Sequence, residues 1–224
     1  LISCSSESIE AQVIHNVNAI DFNKLIKSDE GIILDVRTIQ EVDKGHIEDA
    51  TNIDFYESDF TEKLALIRKD VLIYVYCASG GRSSKTVTKM KDLGIKKVYN
   101  LLGGFGAWKS EGLKVAVTKG EILKKQKATS VIEFSDIIES NDVVLVDFST
   151  KWCVPCKKMK PVIEEIKKEN RDVKVVFVDA DINKELVKKY KIRGVPVFIV
   201  FKDGKEAFRH VGLIEKLELI NKIK

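Results

Sequence analysis

The motif Trp152-Cys153-Val154-Pro155-Cys156 lies between a predicted strand and a predicted helix. The run before it, residues 143–148, is apolar and rich in β-branched residues, which is typical of a buried strand. The stretch after it, from Cys156 to about Glu169, has one apolar face and one lysine-rich face and is predicted to be an amphipathic helix. Cys153 would then lie at a helix N-terminus, where free N–H groups and the helix dipole favour a thiolate. The motif therefore indicates a reactive cysteine.

The composition limits the classes of protein to which the chain can belong. Its 224 residues are enough for two ordinary domains, and 44% are hydrophobic and 32% charged. A net charge of +4 with interspersed signs does not favour nucleic acid as a partner. Four cysteines are too few for a disulfide framework, and no apolar run approaches the roughly 20 residues of a membrane span. We therefore expect a soluble globular protein.

Residues 1–11 are predicted to be an N-terminal tether. Within it, Leu1-Ile2-Ser3-Cys4 resembles the lipobox of bacterial lipoproteins. The resemblance implies that a signal peptide has been removed and that Cys4 is lipidated, which would place the protein outside the cytoplasm, anchored in the periplasm. Membrane contact would then come only through this anchor. The alternative is a polar tail with an incidental cysteine, on a cytoplasmic protein.

Strand and helix patterns alternate over residues 12–117, which we predict to form the first domain. Alternation of this kind is typical of a parallel sheet flanked by helices. The predicted strands are residues 31–36, 71–77 and 97–101, and the predicted helices lie around residues 22–26, 60–67, 83–93 and 107–111. Chemistry in such sheets lies beyond the C-terminal ends of the strands. The segment that follows the second strand is therefore the candidate site.

That segment is predicted to be an anion-binding loop around a cysteine. It reads Cys77-Ala78-Ser79-Gly80-Gly81-Arg82-Ser83 and runs into a predicted helix. The two glycines allow a tight loop with inward N–H groups, and the start of the helix adds further donors. We expect these donors to lower the pKa of Cys77 from its ordinary value of about 8.5. The alternative is an inert cysteine that ends a buried strand.

Three segments of the first domain resemble the signatures of the rhodanese family: residues 34–53, 77–82 and 102–108. The resemblance implies that Cys77 accepts a sulfane sulfur, becomes a persulfide and passes the sulfur to a nucleophile. The six-residue loop resembles the sulfur-handling members, whereas the phosphatase relatives have a loop one residue longer. Ala78 and Ser79 carry no positive charge, which argues against thiosulfate as the donor. The charged residues of the first segment are interpreted as an ion-pair cluster that supports the fold: Asp35, Arg37 and Glu41.

A polar stretch, residues 118–131, is predicted to link this domain to a second α/β domain at residues 132–224. The second domain is predicted to contain strands at 143–149, 173–179, 197–201 and 207–211, and helices after residue 153, at 184–190 and at 214–223. Residues 202–205 (Lys-Asp-Gly-Lys) are typical of a hairpin turn.

The second domain resembles thioredoxin over its whole length. The positions that carry the resemblance are Asp147, residues 152–156, Pro161, residues 194–196 and Gly212. It implies that Cys153, as an exposed thiol, attacks a disulfide or persulfide and that Cys156 resolves the mixed disulfide. A lone pair of cysteines at this spacing could instead be half of a zinc site, but the sequence has no second such pair and no histidine pair to complete one.

The resemblance also implies roles for the residues around the two cysteines. Burial should raise the pKa of Asp147, which could move a proton to or from Cys156; the alternative is a hydrogen-bonded structural carboxylate. Pro196 would follow a cis peptide bond, and its neighbour Val195 would offer backbone groups to an extended substrate. Three further residues are predicted to lie near the site: Trp152, Val154 and Pro155. Phe177 stands where many members have a lysine close to the buried carboxyl.

Together the two resemblances imply a sulfurtransferase coupled to a thiol–disulfide oxidoreductase. Cys77 would form a persulfide, and the Cys153/Cys156 pair would reduce or accept its sulfur. The implied partners are a small sulfane-sulfur donor, protein or low-molecular-weight thiols and disulfides, and an external reductant, with no cofactor and no metal. The alternative is an independent general protein-disulfide reductase whose first domain is a non-catalytic binding or sensing module.

Overall fold

The computed structural model describes residues 13–117 and 128–224, which form two α/β domains. The elements of residues 13–117 are β1 (Val13–Val17), α1 (Ala19–Ser28), β2 (Ile32–Asp35), α2 (Ile39–Val42), β3 (Thr51–Asn52), α3 (Phe60–Ala65), β4 (Leu72–Tyr76), α4 (Gly81–Asp92), β5 (Lys97–Leu101) and α5 (Gly104–Ser110). The five strands pair in parallel in the order β1-β5-β4-β2-β3. Four of the five residues of β4 are buried, and all five are apolar or aromatic. This composition suits the central strand of a sheet that is covered on both faces.

A mixed sheet forms the second domain. Its elements are α6 (Val131–Glu139), β6 (Val143–Ser149), α7 (Val154–Glu169), β7 (Lys174–Asp179), α8 (Lys184–Lys189), β8 (Val197–Lys202), β9 (Lys205–Val211) and α9 (Lys216–Ile223). The strand order is β7-β6-β8-β9, with β6 and β7 parallel and the other pairs antiparallel. Asp203 and Gly204 both adopt left-handed backbone conformations between β8 and β9, as a two-residue hairpin turn requires.

One segment clusters with the second domain although it lies earlier in the chain. Residues 13–57 and 69–117 form the first compact unit, and residues 58–68, which contain α3, form the second unit together with residues 128–224. The predicted limits of the linker remain a prediction, because residues 118–127 lie outside the described residues. The same is true of the predicted tether at residues 1–11, including Cys4.

Most of the strands and helices predicted from the sequence are present, within a few residues of their predicted limits. The sequence patterns did not reveal β1, α2, β3 or α6. β1 is a half-exposed edge strand with mixed polarity, and β3 has only two residues, so neither has a clear hydrophobic period. Helix α6 did carry a signal, because Ser130 and Glu133 form a capping box at its N-terminus. No helix in the two described ranges combines the length and apolarity needed to cross a lipid bilayer.

Candidate active sites

The first candidate site is the loop between β4 and α4. Cys77 directly follows β4 and is 1% exposed, and α4 begins four residues later. Gly80 has a φ of +99°, a left-handed conformation that turns its N–H back toward the cysteine. That N–H donates a hydrogen bond to Cys77 Sγ at 3.1 Å. The loop therefore encloses the sulfur as the sequence predicts.

The surroundings of Cys77 favour its ionised form. Burial alone raises the pKa of the thiol, but hydrogen bonds from the backbone and hydroxyl of Ser83 and from the N–H groups of Ser79 and Gly80 lower it. The hydrogen bonds prevail, so the pKa of Cys77 is lower than that of an ordinary thiol. This confirms the predicted direction. Because the thiolate is the nucleophilic form, Cys77 is the candidate nucleophile of the first domain.

The third sequence segment, residues 102–108, supports the back of this loop. The N–H of Phe105 donates to the Cys77 carbonyl at 2.7 Å, and the N–H of Gly106 donates to the Ala78 carbonyl at 2.9 Å. Gly104 lies so close that a Cβ there would be 2.8 Å from backbone atoms of Ala78 and Ser79. A glycine is therefore required at this contact, which explains Gly104.

Arg82 is neutralised by a carboxylate from the first segment. Its guanidinium donates two hydrogen bonds to Glu41, at 2.7 and 2.6 Å. These bonds lower the pKa of Glu41 to about 2. The sequence predicted an ion-pair cluster of Asp35, Arg37 and Glu41. Arg37 and Asp35 do pair, at 2.6 Å, but the Glu41 carboxylate pairs with Arg82 instead. Sequence spacing could not find this pair, because 41 residues separate its members.

Replacing Ser83 by alanine should raise the pKa of Cys77, because the change removes the hydroxyl that stabilises the thiolate. The pH dependence of iodoacetamide alkylation at Cys77 measures this, with the chain kept oxidised and the alkylated peptide identified by mass spectrometry. We expect the inflection of the profile to move to higher pH. Ser84→Ala is the matched control, because both hydroxyls donate to the Gly80 carbonyl, that of Ser83 at 3.1 Å and that of Ser84 at 2.8 Å, while that of Ser83 also lowers the pKa of Cys77. Equal shifts in the two variants would contradict the assignment.

The second candidate site is the turn between β6 and α7. Cys153 is the N-cap of α7, and its Sγ accepts a hydrogen bond from the N–H of Cys156 at 3.1 Å. The two cysteines form a disulfide. Val154 and Pro155 are the first two residues of the helix. The structure thus confirms the predicted place of Cys153 at the N-terminus of the helix.

Cys153 is less accessible than the sequence suggested. It is 2% exposed and Cys156 is 4% exposed, so the expectation of an exposed Cys153 thiol is wrong for this oxidised form. Its sulfur is bonded to the buried Cys156 and faces the first turn of α7.

Asp147 is a buried carboxyl on β6. It is 1% exposed, and its Oδ1 has no hydrogen-bond partner among the described residues. Burial raises its pKa to about 7, although the charge of Lys160 partly opposes this. The raised pKa is confirmed, whereas proton transfer to or from Cys156 remains a prediction. Phe177 lies beside Asp147 in the register of β6 and β7, where it adds no charge.

Two charged residues near this site were missed in the sequence. Lys160 lies one helical turn after Cys156, and this spacing could have identified it. Asp181 Oδ2 accepts a hydrogen bond from Trp152 Nε1 at 2.8 Å. The pKa of Asp181 is raised to about 6. Burial is the largest cause, and the negative charge of Asp179 is the second. No local sequence signal links Asp181 to Trp152, because 29 residues separate them.

The predicted backbone-pairing residues lie at the same edge of the sheet as the disulfide. The peptide bond between Val195 and Pro196 is cis, as predicted. Val197, the first residue of β8, pairs with Phe148 near the end of β6, where the chain turns toward Cys153. The Pro196 carbonyl accepts a hydrogen bond from Gly212 at 2.8 Å. In the described ranges, no three or more His, Cys, Asp or Glu residues are grouped so as to hold a metal ion.

Comparison with known proteins assigns each half of the chain to a known type. Residues 18–111 match the family model of the rhodanese-like domain, and residues 125–224 match that of thioredoxin. Thioredoxin from Mycoplasmoides gallisepticum is 40% identical over 91 residues, which are 41% of this chain and 91% of that protein.

Solved structures of both types are also similar to parts of the chain. A mutant thioredoxin from Halobacterium salinarum NRC-1 is 36% identical, with a TM-score of 0.41, over 43% of this chain and 85% of its own. A rhodanese-related protein from Thermoplasma volcanium is 33% identical, with a TM-score of 0.42, over 46% of this chain and 99% of its own.

Proposed function

We propose that this chain transfers and reduces sulfane sulfur. The chain belongs to the thioredoxin family through residues 125–224 and carries a rhodanese-like domain at residues 18–111. Cys77 takes the sulfur, and the Cys153/Cys156 pair releases it as sulfide. The observation that carries this proposal is the lowered pKa of Cys77 in its loop of hydrogen-bond donors. A structural cysteine would need no such loop.

The first step loads Cys77. Its thiolate attacks the sulfane sulfur of a donor persulfide, a new S–S bond forms, and the S–S bond of the donor breaks. The donor leaves as a thiolate, and Cys77 becomes a persulfide whose negative charge the same N–H groups can stabilise. No oxidant is needed, because the sulfane sulfur arrives at the oxidation level at which it is transferred.

The second step reduces the persulfide. The thiolate of reduced Cys153 attacks the outer sulfur, which frees Cys77 and leaves a persulfide on Cys153. Cys156 then attacks the inner sulfur on Cys153, so that the Cys153–Cys156 disulfide forms and hydrosulfide leaves. Asp147, whose pKa is about 7, takes the proton of the Cys156 thiol in this step. An external dithiol reductant restores the pair.

The charge around the first site favours a persulfide donor over inorganic thiosulfate. Ala78 and Ser79 carry no charge, and Arg82 is already paired with Glu41. A dianionic donor therefore meets no uncommitted cation within the loop. A low-molecular-weight or protein persulfide instead presents a sulfane sulfur whose transfer needs no cationic pocket.

The test is sulfide release from chain loaded with sulfur at Cys77. We expect the native chain, reduced at Cys153 and Cys156, to release sulfide at least about tenfold faster than Cys153→Ser, because that variant cannot form the second persulfide. Equal rates would reject the coupling of the two domains. Insulin reduction unaffected by Cys77→Ser, together with equal sulfide release, would instead favour the independent protein-disulfide reductase.

We also propose that Cys4 carries a lipid and that the protein works outside the cytoplasm. The support is the lipobox-like sequence at residues 1–4. Mass spectrometry of the protein from its native membrane tests this. A diacylglyceryl mass on the peptide of Cys4 is expected, and a free thiol there would reject the proposal.

A further inference from the structure

The segment 58–68 interacts with the thioredoxin fold of the same compact unit. Ion pairs tie it to α8, because Lys184 Nζ lies 3.4 Å from Asp59 and 3.5 Å from Glu62. Lys63 of the same segment also acts on Asp181, whose pKa it partly lowers. The segment therefore lies along the side of the domain that contains Trp152 and Asp181.

The end of this segment covers the backbone of Gly194, Val195 and Gly212 beside the cis proline, and we call this surface the groove. The Leu66 carbonyl accepts a hydrogen bond from the N–H of Val195 at 3.0 Å. The Arg68 side chain covers the two glycines of the groove: its Cγ would be 3.3 Å from a Cβ on Gly194, and its guanidinium fills the space that a Cβ on Gly212 would take. Backbone and side chain thus hold the segment in place together.

The hydrogen bond between Val195 and Leu66 occupies the backbone N–H that an extended substrate would need. A peptide that binds by backbone pairing must offer a carbonyl to a free N–H at the edge of the site. The N–H of Val195 is adjacent to Pro196, beside the turn that leads to Cys153, and Leu66 already accepts its hydrogen bond. Val195 is accordingly only 3% exposed.

We infer that residues 58–68 are an internal pseudosubstrate of the thioredoxin domain. Protein disulfides reach Cys153 productively only after Leu66 and Arg68 leave the groove. Small disulfides and persulfides without peptide bonds, such as lipoamide, do not need this displacement, because they have no peptide backbone to pair with Val195. The segment therefore selects small substrates over proteins. This inference concerns the disulfide chemistry of the second domain and does not depend on sulfur transfer from Cys77.

The test compares two substrates in the full chain, with dithiothreitol as the reductant. The variant Arg68→Glu/Lys184→Glu places a carboxylate opposite Asp59 and Glu62 and removes the guanidinium from Gly212. We expect insulin reduction to rise at least about fivefold, because the fraction of open grooves rises, while the reduction of lipoamide disulfide stays at the native rate. Arg171→Glu/Lys188→Glu, which makes the same charge change at exposed positions, should leave both rates unchanged.

A second measurement follows the contact itself. Hydrogen exchange at the amide of Val195 should be slow in the native chain and faster in the double variant. If the double variant does not fold, Lys184→Glu alone should raise insulin reduction, and Glu62→Lys/Lys184→Glu should return it toward the native rate by restoring an ion pair. Rapid exchange of the Val195 amide in the native chain would overturn the inference. Equal rates of insulin reduction in native and double-variant chains would also overturn it.

Discussion

Cys77→Ser is expected to lose sulfur uptake by a factor of at least about 10³, because a serine hydroxyl stays protonated at neutral pH and its oxygen cannot carry a persulfide. The loop that lowers the pKa of Cys77 remains in this variant, so the loss reports the sulfur atom itself. The measurement is the mass gain of one sulfur atom on the intact chain and on the peptide that contains residue 77, with glutathione persulfide, mercaptopyruvate or thiosulfate as the donor.

Insulin reduction by the same variant provides the control. It should stay at the native rate, because Cys153 and Cys156 are unchanged. Sulfur uptake at the native rate in Cys77→Ser would show that another residue accepts the sulfur. Cys4→Ser tests the remaining cysteine that lies outside the two sites, and we expect uptake at Cys77 to continue in that variant.

Asp147→Asn should have two effects of opposite sign. The pKa of Asp147 in the folded chain is about 7, above its ordinary value of 3.8, so the carboxyl destabilises the fold when it is ionised. The contribution of this carboxyl to the free energy of unfolding is most favourable at low pH and is lost as the pH rises through 7. The difference corresponds to on the order of 4 kcal/mol at high pH. The amide stays neutral, so the variant should lose this pH dependence and be more stable than the native chain near pH 9.

Activity should change in the other direction. If Asp147 takes the proton of Cys156 as proposed, the variant lacks this general base, and the rate of disulfide exchange should fall by about 10²-fold near neutral pH, the usual scale for such a loss. Hydrogen exchange of the β6 amides measures stability in this domain alone. Asp172→Asn is the control, because Asp172 is an exposed carboxyl on the same domain. A native-like pH dependence of stability in Asp147→Asn would contradict this account.

The sequence predicted the parts of both sites that lie close together in the chain. The loop from Cys77 to Ser83 and the turn from Trp152 to Cys156 each carry their chemistry within a few residues, so strand and helix patterns were enough to place them. The raised pKa of Asp147 was also predictable, because a carboxylate on an otherwise apolar strand is buried with it.

The remaining features depend on contacts between distant parts of the chain. The pair between Glu41 and Arg82 spans 41 residues, and both side chains had plausible local roles. The contact between Leu66 and Val195 is formed by backbone atoms, which carry no sequence signal. The pairing of Cys153 with Cys156 was predictable from their spacing, but the low exposure of Cys153 depends on the fold around it, which the local motif does not record.

The bidentate pair between Arg82 and Glu41 also bears on how a sulfur donor finds Cys77. Charged clefts gather ions of opposite sign over a distance set by the ionic strength, about 8 Å in physiological salt. Here Glu41 cancels the charge of Arg82, so Arg82 gives the loop little long-range attraction for anions. The rate of encounter with the proposed donor should then depend on diffusion and on contact at the sulfur. We therefore expect the rate of sulfur uptake at Cys77 to be the same at low and at high ionic strength.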